Sequence, residues 1–262
     1  MLVSAYAYMH SLFHPHKSEA APKVEPVPTV FPAIGGADLA AVFIGKRIAG
    51  DFFDSVRVSP ERVLFGLLDV AGRREENREL LATAQQIFRE FGTELFSKSE
   101  VNESEAMTEL GLRLNRALIE PGTGVHSCPA FIGCYHEVFG TLCYTNAGHT
   151  AGLLRDSKGI AELGSTGLPL GLFSHATADA PTVGMDKGAA LLLVSRGVLE
   201  CEMKVDRSTE EFGMDRLKQF FDSAPTSAAA ALCTLVLNKV AESSCETGPR
   251  DDRTALALVR TA

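Results

Sequence analysis

The sequence predicts an antiparallel α+β domain built in layers. Three observations carry this expectation. Apolar runs come in pairs split by short turns, helical patterns come in two consecutive pairs, and strands do not alternate one for one with helices as a doubly wound parallel sheet requires. The order is strands, two helices, strands, two helices and a last strand.

Residues 1–35 read as an N-terminal extension. Pro22, Pro26, Pro28 and Pro32 give it an extended, partly flexible character. His10, His14 and His16 fall in a stretch that reads as a tail or short local helix rather than a metal site. The domain is residues 36–262. It opens with a strand over 39–44. Two apolar runs, 52–58 and 63–70, are split by Ser59-Pro60-Glu61-Arg62, which is a strand, a turn and a strand. The second run alternates poorly, so it is expected to be buried on both faces. Residues 75–97 place Leu80, Leu81, Ala84, Ile87, Phe88 and Phe91 at helical spacing, and 103–119 repeat the pattern with Met107, Leu110, Leu114 and Leu118. A Gly/Pro/Ser loop follows over 120–129.

Residues 130–136 and 141–146 form a hairpin signal ending at Gly140. Asn146-Ala147-Gly148-His149 is a tight turn before a strand over 152–155. Gly167-Leu168-Pro169-Leu170-Gly171 is a bounded, uncharged loop. A buried strand over 189–194 runs into Ser195-Arg196-Gly197-Val198-Leu199-Glu200. Ser208-Thr209-Glu210-Glu211 has the pattern of a capping box and predicts a helix to about residue 222. A second helix covers 226–243, and Asp251-Asp252 precede a last strand over 254–260.

A net charge of −8 argues against nucleic acid as the main ligand. No apolar run approaches the roughly 20 residues of a spanning helix, so no membrane insertion is expected. The six cysteines make no C-x-x-C pair and no zinc spacing. The first 13 residues lack a basic start. Reduced thiols and no export signal point to the cytoplasm.

Chemistry concentrates at strand ends. Asp51 starts one strand of the first hairpin and Asp69 ends the other, so an antiparallel pairing makes them neighbours. Two close carboxylates repel unless a cation lies between them, and a hard divalent ion with oxygen ligands suits the position. Gly50 and Gly72 allow close backbone approach. Asp251-Asp252 is a third strand-end acidic site, although a lone strand-end aspartate is more often a turn residue. His149 is either a catalytic histidine or a turn residue bonded locally. Ser195 lacks the glycines of a nucleophile elbow.

These residues resemble a known family, the bacterial metal-dependent protein phosphatases related to protein phosphatase 2C, in the stage II sporulation protein E and sigma-factor-regulating branch. Ala49-Gly50-Asp51-Phe52-Phe53-Asp54 is similar to V-G-G-D-F-Y-D, and Leu68-Asp69-Val70-Ala71-Gly72-Arg73 to G-D-V-S-G-K. Tyr144 to His149 is similar to Y-A-N-A-G-H, and Gly167 to Gly171 to G-L-P-L-G. Glu211-Phe212-Gly213 with Arg216-Leu217 is similar to E-x-F-G-x-x-R-L, and Asp251 to Thr254 to D-D-x-T. The motifs keep the family order over residues 36–262. The resemblance implies a four-layer αββα sandwich, two antiparallel β-sheets flanked by helices. It implies a Mn²⁺ or Mg²⁺ centre of two ions, held by Asp51, Asp69, the Val70 carbonyl, Asp251 and Asp252. It also implies a metal-activated water attacking a phosphoserine or phosphothreonine in line. Asp54, Gly50, His149 and Gly197 are secondary candidates.

One position departs. Where the family reads T-D-G or S-D-G, this chain reads Ser195-Arg196-Gly197, so an arginine stands where a metal-binding aspartate is expected. Arg74, beside the Asp69 motif, replaces a frequent glycine. Arg196 either binds substrate phosphate or replaces a cation, which leaves two, one or no ions. Two readings follow: an active Ser/Thr phosphatase, or a pseudophosphatase that binds a partner without hydrolysis. The resemblance names the partner class, a phosphoprotein such as an anti-sigma-factor antagonist. Oligomeric state, a homodimer included, is left open by the sequence.

Overall fold

The computed structural model describes residues 27–45, 50–70, 77–119, 127–174, 178–206, 208–225, 227–245 and 251–262. His10, His14, His16, Gly72 and Arg74 lie outside the described residues. So does most of the 120–129 loop.

The first hairpin is β2 (Gly50–Ser59) and β3 (Arg62–Val70). It extends through β4 (Ala130–His136), β5 (Thr141–Ala147) and β8 (Thr182–Gly184) into a sheet of order β2-β3-β4-β5-β8. The other sheet has the order β1-β12-β9-β6-β7, with β1 (Ala37–Ile44), β6 (Gly152–Asp156), β7 (Gly159–Leu163), β9 (Ala190–Val194) and β12 (Arg253–Arg260). The strand pairings within both sheets are antiparallel. Helices α1 (Arg78–Phe96) and α2 (Glu103–Ile119) cover the first sheet. A short α3 (Arg196–Leu199), α4 (Gly213–Ser223) and α5 (Ala229–Ser243) lie on the second.

Side-chain alternation builds the layers. Val63, Phe65 and Leu67 face the second sheet, where they meet Leu191, Leu193, Leu256 and Leu258. Leu64 and Leu68 point the other way, onto Leu81, Phe88 and Leu110 of the helices. β3 is therefore buried on both faces, and its near-continuous apolar run follows. This is the antiparallel α+β layering that the residue pattern predicts and the four-layer αββα sandwich that the resemblance implies.

Two expectations about the second half need correction. Residues 208–211 do not cap a helix. They form β11 (Ser208–Glu211), paired antiparallel with β10 (Glu202–Val205). The chain reverses at Asp206, whose φ is 53°, and the helix starts only at Gly213, whose φ is 74°. A capping pattern is local, and strand pairing with 202–205 overrides it. The helix expected from residue 226 starts at Ala229, where the Ala229 N–H donates to Asp38 Oδ2 of β1 at 2.7 Å. The cap thus comes from a distant strand and leaves no local signature.

Residues 27–34 lie against the domain. Gln85 of α1 accepts from the Val27 N–H at 2.8 Å and donates to the Val27 carbonyl at 2.9 Å. Phe31 stacks on Phe53 with ring centroids 6.1 Å apart.

Candidate active site

The two sheets meet at an edge where four chain segments converge. The register of the first hairpin puts Asp51 directly opposite Asp69. Both carboxylates are largely buried. Glycine permits this approach: a Cβ on Gly50 would lie 2.0 Å from the Val70 carbonyl oxygen. Backbone cannot yield as a side chain can, so Gly50→Ala must push β2 from β3. We expect it to cost about 2 kcal/mol or more, read by urea denaturation.

The third segment is the turn into β12. Thr254 Oγ1 donates to Asp51 Oδ2 at 2.7 Å. The fourth is the end of β9, where Ser195 Oγ accepts from the Thr254 N–H at 3.0 Å and the Ser195 N–H donates to the Thr254 carbonyl at 2.9 Å. Gly197 lets α3 press onto the acidic turn, since a Cβ there would stand 2.4 Å from the Asp252 carbonyl. Asp251 is exposed and Asp252 is buried against Gly45.

Electrostatics tie these groups together. Burial pushes Asp51 up to about 7, opposed by hydrogen bonds with Ser195 and Thr254 and reinforced by the charges of Asp69 and Asp252. Asp69 is also raised, first by burial. Arg196 pulls it down and Asp251 pushes it up. Four carboxylates thus share one field. Arg196 sits at its edge, with Nε 3.7 Å from Asp69 Oδ2 and 3.7 Å from Glu200 Oε1. Its side chain is 60% exposed, so it lies along the rim rather than in the interior.

His149 reaches the same place from the β5–β6 turn. Asn146 is fully buried. Its Oδ1 accepts from the His149 N–H at 2.8 Å, and its amide nitrogen donates to the carbonyls of Thr150 and Leu163. Gly148 has φ 70° and packs on Pro169, so the Gly167–Gly171 loop braces the turn. A cleft of about 190 Å³ is lined by Asp69, Ser127, Pro129, Gly148, His149, Thr150 and Arg196.

Asp54 stands apart. It points away from Asp51, toward α1, where Arg89 holds it with bonds of 2.7 and 2.8 Å and Thr29 Oγ1 lies 3.1 Å away. Asp54 is 2% exposed and Arg89 about a third. Removing the arginine strands a buried charge, whereas removing the carboxylate frees a guanidinium to reach water. We expect Arg89→Met to cost about 3 kcal/mol and Asp54→Asn less, with divalent-ion affinity unchanged in both. Chemical denaturation and calorimetry check this. Sequence reasoning missed Ser195 and Thr254 as partners of Asp51. The D-D-x-T and S-R-G motifs held the only signal for them.

The donor set suits a hard cation: carboxylates, and the Val70 carbonyl beside Gly50. Among the described residues, no three His, Cys, Asp or Glu side chains come together as a finished metal cage. The oxygens fit a hard ion near Asp51 and Asp69, while the Arg196 guanidinium opposes a second one beside Asp69.

The sequence model of stage II sporulation protein E (SpoIIE) matches residues 59–261. The chain belongs to the SpoIIE family. No curated protein matches it. Among solved structures, the RsbU and RsbW domains of a Mycobacterium tuberculosis protein match with TM-score 0.71 and 22% identity, over 88% of this chain and 62% of that one. The protein phosphatase 2C domain of Bacillus subtilis SpoIIE, with a regulatory fragment, matches with TM-score 0.68 and 12% identity, over 85% of this chain and 63% of that one. This chain thus spans less than two thirds of either. The catalytic domain of the serine/threonine phosphatase PstP, bound to two manganese ions, matches with TM-score 0.59 and 12% identity, over 86% of this chain and 100% of that one. At these identities the likeness is one of fold, and the fold is that of protein phosphatase 2C. Among the described residues, no helix is long and apolar enough to cross a membrane.

Proposed function

We propose that this chain is a metal-dependent protein phosphatase that removes phosphate from a phosphoserine or phosphothreonine side chain. The observation that carries the reading is the pairing of Asp51 with Asp69, which lines a cleft, in a chain of the SpoIIE family. Asp51, Asp69, the Val70 carbonyl, Asp251 and Asp252 hold Mn²⁺ or Mg²⁺. Such an ion lowers the pKa of water and offsets charge on the transferred phosphoryl group.

The chain's own groups do the positioning. Thr254 and Ser195 hold the Asp51 carboxylate by hydrogen bonds, on the strand position opposite Asp69. Gly50 and Gly197 let backbone close in from both sides. Arg196, on an exposed arm between Asp69 and Glu200, swings to the phosphate and grips two of its oxygens with the guanidinium fork. The substrate is a small phosphoprotein of the anti-sigma-factor antagonist class in the cytoplasm, a reading supported by family membership and by the fold shared with an RsbU domain.

The position of Arg196 favours a second reading, a pseudophosphatase that binds its phosphoprotein and does not hydrolyse it. With Nε 3.7 Å from Asp69, the guanidinium offsets the carboxylate charge that a metal would otherwise offset. Phosphate release from a phosphoserine protein, measured with Mn²⁺ and with EDTA, separates the two. Mn²⁺-dependent turnover by the unmutated chain supports the enzyme. Turnover by Arg196→Asp alone supports the binding module.

A further inference from the structure

The β5–β6 turn carries a group that this chemistry does not yet use. His149 is 6% exposed. Its Nδ1 lies 3.1 Å from Thr150 Oγ1 and 3.2 Å from the Thr150 carbonyl. The neighbouring donors decide the tautomer. The single proton of the Thr150 hydroxyl goes to the Val194 carbonyl at the end of β9, and a carbonyl only accepts. Both partners of Nδ1 therefore accept, so Nδ1 carries the ring proton. Burial holds the ring neutral, with its pKa brought down to about 4. Nε2 is then a bare lone pair. It is buried and, among the described residues, has no hydrogen-bond partner, a costly condition for a strong acceptor. The residue nevertheless lines the cleft shared by Asp69 and Arg196. With Nδ1 committed to Thr150, Nε2 is the ring nitrogen left over, and, being buried, it meets a water only once one passes from the cleft to the ring.

We propose that His149 is a further catalytic residue, whose Nε2 takes the proton from the water that attacks phosphorus in this cleft. The water oxygen bonds to phosphorus as the bond from phosphorus to the serine or threonine oxygen breaks. The electron pair of the broken bond stays on that oxygen, which takes a proton from solvent. The proton on Nε2 then returns to solvent, so water and phosphoester give alcohol and phosphate. A lone pair cannot donate to a phosphoryl oxygen or a leaving group, so the tautomer selects the role of base. This step rests on the phosphatase reading, because it needs a phosphoester in the cleft.

Two measurements test it, and the first needs no turnover. Long-range ¹H–¹⁵N spectra of the histidine rings at pH 7 are expected to show His149 protonated on Nδ1 and bare on Nε2. Second, His149→Asn keeps an amide donor toward Thr150 and removes the lone pair. It is expected to lower kcat on a phosphoserine peptide with Mn²⁺ by about 100-fold or more, with KM and Mn²⁺ affinity changed less than about twofold. A proton on Nε2 overturns the proposal whether or not the chain hydrolyses anything. So does an unchanged kcat in His149→Asn. Absence of turnover in both the unmutated chain and Arg196→Asp removes the phosphatase reading, and this step with it.

Discussion

Asp51→Asn makes the metal-free protein more stable at pH 8 and deaf to Mn²⁺. Burial brings the Asp51 pKa from 3.8 in the unfolded chain to about 7 in the fold, aided by the charges of Asp69 and Asp252. The folded state therefore binds this proton more tightly than the unfolded state. Below pH 3.8 both states hold it and the group adds nothing. Between 3.8 and 7 stability falls as pH rises, and above 7 the full cost of a buried charge is present, about 4 kcal/mol. Asparagine removes that cost and keeps an oxygen for the Thr254 hydroxyl. With EDTA, thermal unfolding is expected to favour the variant at pH 8 and to show the gain shrinking toward pH 4. With Mn²⁺ the order reverses, because an ion bound only to the folded state stabilises the unmutated protein. Calorimetry adds a sign: at pH 6, Mn²⁺ expels close to one proton from Asp51, and at pH 8 almost none. A variant less stable than the parent at pH 8 in EDTA would show that Asp51 is not held at a cost.

The layers were legible because burial leaves a mark on each strand. β3 is apolar on both faces because it lies between helices and a second sheet, and its run of residues says so. Asp51 and Asp69 were legible as a pair because a tight hairpin fixes its own register. What stayed hidden depends on contacts distant in sequence. Thr254 meets Asp51 across 203 positions, and Asp38 caps a helix 191 positions away. The His149 tautomer depends on Thr150 and, through it, on the Val194 carbonyl. Asp54 shows the converse. It sits three residues from Asp51 in one motif, yet the strand period of two turns it to the opposite face, onto Arg89. β10 and β11 misled because a capping pattern is read locally and strand pairing is not.

Arg196→Asp is expected to bind Mn²⁺ roughly 10- to 100-fold more tightly than the unmutated chain. The exchange changes the charge near Asp69 by two. One unit pair at about 4 Å contributes about 1 kcal/mol in water and about 4 kcal/mol at an effective dielectric of about 20. Arg196 is 60% exposed and shares its charge with Glu200, so the lower figure governs. Two units acting on a doubly charged ion make four unit pairs, about 4 kcal/mol, which the exposure of Arg196 and screening by salt bring down to about 2 kcal/mol, and the added carboxylate oxygen supplies a ligand as well. Arg196→Ala separates the contributions: it removes repulsion and adds no ligand, so it should recover only part of the gain. Titration calorimetry of Mn²⁺ into all three proteins reads the series, and equal affinities would place the guanidinium out of reach of the ion. Phosphate affinity should run the opposite way, highest in the unmutated chain, because the fork that weakens cation binding is the one that grips an anion. Turnover then decides which of the two effects governs the site. It rises in Arg196→Asp where metal occupancy limits the reaction and falls where the arginine's hold on phosphate does.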